Sequence, residues 1–166
     1  HRPRDVLDPT TTAGCAVTGS DPQGDVLRFE TLVRHWEAQP YLAELSITIA
    51  SLDEGESRLT MPRNNVTVGG IRDSINGGVV ASYAELAAEI ALSTTLGPGE
   101  AIEGAIDVGL SYLTSALGET TLAVGRVLRK GGRICVCDVE VLDGVSGAIN
   151  AKARVSYAIT RPQRSS

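Results

Sequence analysis

Apolar and polar residues alternate with a period of two along most of the second half of this chain, and one long stretch in the middle breaks that rhythm. From Ser74 to Leu92 the apolar positions are Val79, Val80, Tyr83, Leu86, Ala87, Ile90 and Ala91. That spacing is one face of a buried amphipathic helix. A second helix is expected from Asp25 to about Ala38, where Val26, Phe29, Val33 and Trp36 recur at helical spacing, Leu32 supports them, and Pro40 ends the run.

Elsewhere the alternation predicts strands. Leu45, Ile47 and Ile49 mark the first, and Ser57, Leu59 and Met61 the second, joined into a hairpin by Asp53-Glu54-Gly55. Residues 62–73 read as a loop leading to the central helix, which Gly97-Pro98-Gly99 closes off. Three strands follow the first of a new set. Ile106, Val108, Leu110 and Tyr112 are expected to share one face of that first strand, and Leu122, Val124, Arg126 and Leu128 alternate in the next. After a turn at Lys130-Gly131-Gly132 come Cys135, Cys137, Val139 and Val141; after Asp143-Gly144 come Ile149, Ala151, Ala153, Val155, Tyr157 and Ile159. Each strand has one apolar face, as in an antiparallel sheet packed on one side. One long helix among five or six strands, without βαβ alternation, is an α+β plan. Residues 1–24 show no periodicity and are expected to form a loose arm, with a single domain over 25–162 and a tail over 163–166.

The start of the central helix carries the candidate chemistry. Asn76 stands at an N-cap position and Gly77 and Gly78 follow it. Glycine is a poor residue inside a helix, so two at its start point to a close approach to the backbone. Helix starts also offer unpaired N–H groups and the positive end of the macrodipole, which suit a developing negative charge. Glu85 lies seven residues after Gly78 and shares a small, polar face with Gly78, Ala81 and Ser82. Glu89 lies one turn further on nearly the same face.

The run Asn76-Gly-Gly-Val-Val-Ala-Ser-Tyr-Ala-Glu-Leu-Ala87 resembles the central-helix signature of hotdog-fold acyl-CoA thioesterases, of the 4-hydroxybenzoyl-CoA and phenylacetate-pathway type. In that family His-Gly-Gly is usually followed, seven positions after the second Gly, by Asp or Glu; here Asn76 replaces the histidine. The resemblance implies a hotdog fold, an antiparallel sheet wrapped round one helix, and hydrolysis of an acyl-CoA to free acid and CoA. It implies Glu85 as base or nucleophile, the Gly77 N–H as oxyanion donor, and Asn76 as cap and amide donor. Substrate-binding positions would be Gly78, Ser82 and Tyr112, with Asn64 or Asn65 if the loop lets either reach the site. Tyr83 and the 62–73 loop are further candidates for an acyl pocket. Arg129, Lys130 and Arg133 form the densest basic cluster and would hold CoA phosphates or form a solvated hairpin tip. A homodimer or homotetramer is implied, with sites between subunits. The alternative is a non-catalytic acyl-CoA-binding module, which Asn76 favours.

Composition narrows the classes. A formal charge of −5 argues against nucleic acid as a partner. No apolar run approaches the ~20 residues of a membrane span, and no signal-peptide pattern opens the chain. Three cysteines make a disulfide framework unexpected, Cys135 and Cys137 read as core residues, and neither a metal nor a cofactor is expected. The cytoplasm fits best. With His1 and His35 as the two histidines, no Ser/His/Asp triad is available, nor the His–carboxylate pair of a hotdog dehydratase; His35 reads as a packing residue.

Overall fold

Gly77–Ser93, the central helix, lies across one face of a single antiparallel sheet in the computed structural model, which describes residues 22–161. Two helices come first, α1 (Pro22–Glu37) and α2 (Pro40–Glu44), then the hairpin β1 (Thr48–Asp53) and β2 (Glu56–Pro62). A 3-10 turn over Ile71–Asp73 precedes the central helix, α3, and β3 (Ala101–Tyr112), β4 (Thr120–Lys130), β5 (Ile134–Asp143) and β6 (Ile149–Thr160) complete the described chain. The described strands run in the order β1-β2-β4-β5-β6-β3. This is the hotdog arrangement.

Several boundaries differ from the periodicity, each for a local reason. Pro40 does not merely end α1, which stops at Glu37; it occupies the first turn of α2, where a missing N–H costs nothing. Leu45 and Ile47 are buried but precede β1, and Ser46 between them takes a φ of 54°, so their alternation is that of a turn. Of the expected arm, residues 22–24 belong to α1 and the rest lies outside the described residues, as does the 163–166 tail.

What sets α3 against the sheet is small size. Its buried side includes Ala84, Ala87, Ala88 and Ala91 beside Val80, Tyr83, Leu86, Ile90 and Leu92. A Cβ on Gly125 of β4 would lie 2.4 Å from the Ala87 carbonyl oxygen, so only glycine allows this approach. Ser57 on β2 donates to that same oxygen at 2.7 Å. The fully buried Tyr83 is part of this core and does not line an acyl pocket. Its hydroxyl donates to Leu59 O at 2.6 Å and accepts from Ala123 N at 3.2 Å, riveting the helix to the β2–β4 seam. Cys135 and Cys137 are buried among the core residues, and burial pushes the Cys137 thiol up to about 12.

The sheet is uneven at β3. Its register with β6 breaks at Glu103 and Ile106, so Ile106 is a bulge residue and does not share the face of Val108, Leu110 and Tyr112. Those three pair with Val155, Ala153 and Ala151, on the helix side of the sheet. Yet α3 barely reaches β3, and Val108 and Tyr112 remain 42% and 58% exposed. The expectation that each strand turns its apolar face to the core therefore fails at this edge, and also in β4, where Ala123, Gly125 and Val127 face the helix instead of Leu122, Val124 and Leu128.

Gly125→Ala tests the close approach. The added methyl meets backbone, which cannot rotate away, so a loss of about 2 kcal/mol or more is expected, seen as a melting temperature lower by roughly 5–10 °C in circular dichroism.

Candidate active site at the start of the central helix

The loop before α3 is tied down by short-range hydrogen bonds. Asn64 accepts from the N–H groups of Val66 (2.9 Å) and Thr67 (3.1 Å), an Asx turn. The buried Thr67 donates to Pro62 O at 3.1 Å, and Asn76 N donates to Thr67 O at 2.8 Å. Arg72 and Asp73 both take positive φ, 59° and 57°, and Arg63 holds Asp73 O at 3.2 Å. The chain thus enters α3 at a defined angle.

At that start the free amides are divided. Asn76 caps the helix, its Oδ1 accepting from Gly78 N at 2.8 Å. Gly78 N–H is therefore occupied. Gly77 N–H has no hydrogen-bond partner among the described residues. Both glycines line a cavity of about 500 Å³ whose walls include Ile75, Val80, Tyr112, Ala116 and Asn150. Tyr112 closes one side: its hydroxyl donates to Gly77 O at 2.6 Å, and a Cβ on Gly77 would lie 3.2 Å from that hydroxyl. A bare, dipole-aligned N–H at the mouth of a mainly apolar cavity can accept a developing oxyanion.

Asn150 was not signalled by the sequence pattern, which places it on the polar face of β6. A register shift against β5 at this point leaves it only 5% exposed. Its Nδ2 donates to Thr114 Oγ1 (3.0 Å) and Ser115 O (3.4 Å), fixing the far wall of the cavity, while its Oδ1 is buried without a partner among the described residues.

The other candidates are dispersed along the helix. Ser82 is exposed and its hydroxyl donates to Gly78 O at 3.0 Å. Gly78, Ala81, Ser82, Glu85 and Glu89 form the stripe of α3 that this chain leaves at least partly open. Tyr157 donates to the Glu85 backbone carbonyl at 2.7 Å, which seats that turn of the helix on β6. Burial, and then the Glu85 charge, push the Glu89 carboxyl above its usual range. Asn65 is exposed and does not line the cavity; Asn64 is spent on its turn.

The basic turn lies elsewhere. Lys130 donates to Thr95 O at 2.6 Å and pairs with Glu100, which also pairs with Arg161 at 3.1 Å. These bonds lie just past the C-terminal end of α3, about 25 Å along the helix from Gly77. Lys130 is thus a structural clasp. Arg129 and Arg133 are exposed and make no hydrogen bond or ion pair through their side chains among the described residues.

Residues 73–148, which hold α3 and the three strands after it, match the family model described as the Thioesterase superfamily. That segment contains the central-helix motif and the start of the candidate site. Solved structures share the fold. The PaaI protein of Escherichia coli, from the phenylacetic acid degradation operon, is 22% identical, with 84% of this chain and 96% of that chain covered and a TM-score of 0.71. A thioesterase of Haemophilus influenzae is 20% identical, with 80% and 90% covered and a TM-score of 0.71. A thioesterase family protein of Silicibacter pomeroyi is 21% identical, with 79% and 96% covered and a TM-score of 0.68. No curated protein matches the chain.

The cap makes its own prediction. Asn76→Ala should cost about 1 kcal/mol and a few degrees of melting temperature, whereas Asn76→Asp, which keeps the accepting oxygen, should retain most of both; thermal unfolding of the two variants compares them.

Proposed function

We propose that this protein is an acyl-CoA thioesterase that works in the cytoplasm as a homodimer or homotetramer, with Gly77 N–H and Glu85 at the reacting centre. The observation that carries this reading is the Gly77 amide, unpartnered among the described residues, on a residue that lines a cavity. The thioester oxygen would accept from Gly77 N–H as it gains charge. Glu85 either attacks the carbonyl carbon, giving an anhydride that water then opens, or takes a proton from the attacking water. Coenzyme A leaves as a thiolate, whose low basicity relative to an alkoxide lessens the need for a dedicated acid and so for the histidine that Asn76 replaces.

One copy does not suffice. Gly77 and Glu85 are eight residues apart, about 12 Å along the helix, whereas a general base works within hydrogen-bond reach or through one water. The oxyanion donor and the carboxylate must come from different copies. β3 offers the surface for this, the edge strand of the described sheet, carrying exposed Ile106, Val108 and Tyr112. The two described cysteines are unbridged, which suits a reducing compartment. No helix among the described residues is long and apolar enough to cross a membrane. Asn76, which spends its Oδ1 on the cap and carries no titratable proton, favours the second reading, an acyl-CoA-binding module without turnover.

Two substitutions separate the roles. Glu85→Gln should lower hydrolysis of acyl-CoA esters by roughly a hundredfold or more, and Glu89→Gln by much less. Gly77→Pro removes the free N–H at a helix position that proline accepts, after an Asn76 already in extended backbone, and should also be inactive. Mixing the unfolded Glu85→Gln and Gly77→Pro chains and refolding them together should recover up to about a quarter of wild-type activity, because half the dimers then carry one intact shared site. No recovery, or a monomer by light scattering, would exclude the shared site; ester binding without turnover would select the binding module.

Arg129 and Arg133 are the proposed phosphate contacts, with Lys130 held for structure. Replacing both arginines by alanine should raise KM for CoA esters several-fold with little change in kcat, since phosphates are held alike in ground and transition states. An unchanged KM would make the turn a solvated hairpin tip.

A further inference from the structure

Towards the C-terminal end of α3, α1 roofs a second cleft of about 730 Å³. Leu27, Leu32 and Trp36 from α1, with Leu96 and Ile102, make its apolar walls. The roof is fastened: Arg28 Nη2 donates to Thr94 O at 2.6 Å and to Leu96 O at 2.9 Å, and Trp36 Nε1 donates to Ser93 Oγ at 3.3 Å. Most polar groups on these walls are already engaged. Thr31 donates to Leu27 O, Ser93 to Ile90 O, and Glu100 pairs with Lys130 and Arg161. His35 packs edge-on against Trp36.

Glu89 is different. Its carboxylate lines the cleft, half-buried, and forms no hydrogen bond or ion pair among the described residues. Burying an ionised group without a partner costs stability, and a leucine would pack here at less cost. Its nearest electrostatic neighbours in the fold, Glu85 and the Tyr157 hydroxyl, offer no cation, and Tyr157 is already bonded to Glu85 O. Among the described residues no donor or cation lies within hydrogen-bond or ion-pair distance of this carboxylate. Glu89 also stands one turn, about 6 Å, beyond Glu85 on the same stripe.

We propose that this cleft receives the acyl group of the thioester, and that Glu89 accepts a hydrogen bond from a hydroxyl or amino group carried on an otherwise apolar acyl chain. The inference rests on the reading that sets the thioester carbonyl beside Glu85. The helical rise then puts the donor roughly four to five bonds beyond the thioester carbon.

The test uses the purified full chain with matched alkanoyl-CoA esters and their hydroxy derivatives, the hydroxyl stepped along the chain. At the best position the hydroxylated ester should lead in kcat/KM by about tenfold or more, as a hydrogen bond to a charged group confers. Glu89→Leu should cancel or reverse that ratio while raising the melting temperature, and Glu89→Gln should keep part of it. Thr31→Trp, which fills the cleft, should weaken long-chain esters more than acetyl-CoA. Non-hydrolysable thioether analogues, titrated by calorimetry, should bind in the same order. Equal or better handling of the plain esters by the wild type, or a ratio that Glu89→Leu leaves untouched, would overturn the proposal. The thioether preference without hydrolysis of any ester would keep the cleft assignment and remove the hydrolase reading.

Discussion

The alanine-rich side of α3 approaches the sheet so closely at Gly125 that no side chain fits between the Ala87 carbonyl and β4. That contact governs how the rest of the molecule is spaced. Because the helix sits low, the Tyr83 hydroxyl reaches into the β2–β4 seam and the buried Ser57 hydroxyl finds its acceptor in a helix carbonyl that a larger separation would put out of reach. A buried hydroxyl without a partner and a glycine in mid-strand are each costly alone. Together they lock the height of the helix over the sheet, and hence the position of its N-terminal amides relative to Tyr112 and Asn150.

Helix ends normally hide their spare amides behind caps or water. Here the cap satisfies Gly78 and leaves Gly77, whose missing side chain lets the Tyr112 hydroxyl close in on the backbone. The donor is thus preorganised by three independent restraints: the Asn76 cap, the Tyr112 bond to Gly77 O, and the tied loop over 62–73. Along the same helix the balance is reversed. The open stripe of Gly78, Ser82, Glu85 and Glu89 carries two carboxylates one turn apart, and burial and repulsion bear on Glu89. A stripe built for stability alone would not hold them.

Much of this was legible in the sequence because it is local. The 3.6-residue period of α3, the glycines after Asn76, and the spacing from Gly78 to Glu85 all follow from helix geometry. The strands over residues 134–160 follow equally from their two-residue period, whereas β4 turns Ala123, Gly125 and Val127 to the helix and not its Leu122, Val124 and Leu128 face. Turn chemistry placed the hairpin at Gly55, which takes a φ of 76°.

Other features were set by contacts between residues distant in the chain, which no local pattern encodes. Asn150 is buried by a register shift between strands, so alternation assigned it to the wrong face. Lys130 reads as one of three equivalent cations until Glu100 and the Thr95 carbonyl are brought beside it by the closing of the sheet. Tyr83 has the spacing of any core or pocket residue, and only the low seat of α3 drives its hydroxyl between two strands. The second cleft depends on where α1 comes to rest on α3, a matter of the Arg28 and Trp36 hydrogen bonds across more than fifty residues. The sequence by itself determined which residues share a helix face and which a strand face, because backbone periodicity does that. Which of those faces meet, at what distance, and which polar atoms are left without partners was decided by tertiary packing, where a missing methyl at Gly125 counts for as much as any charged side chain.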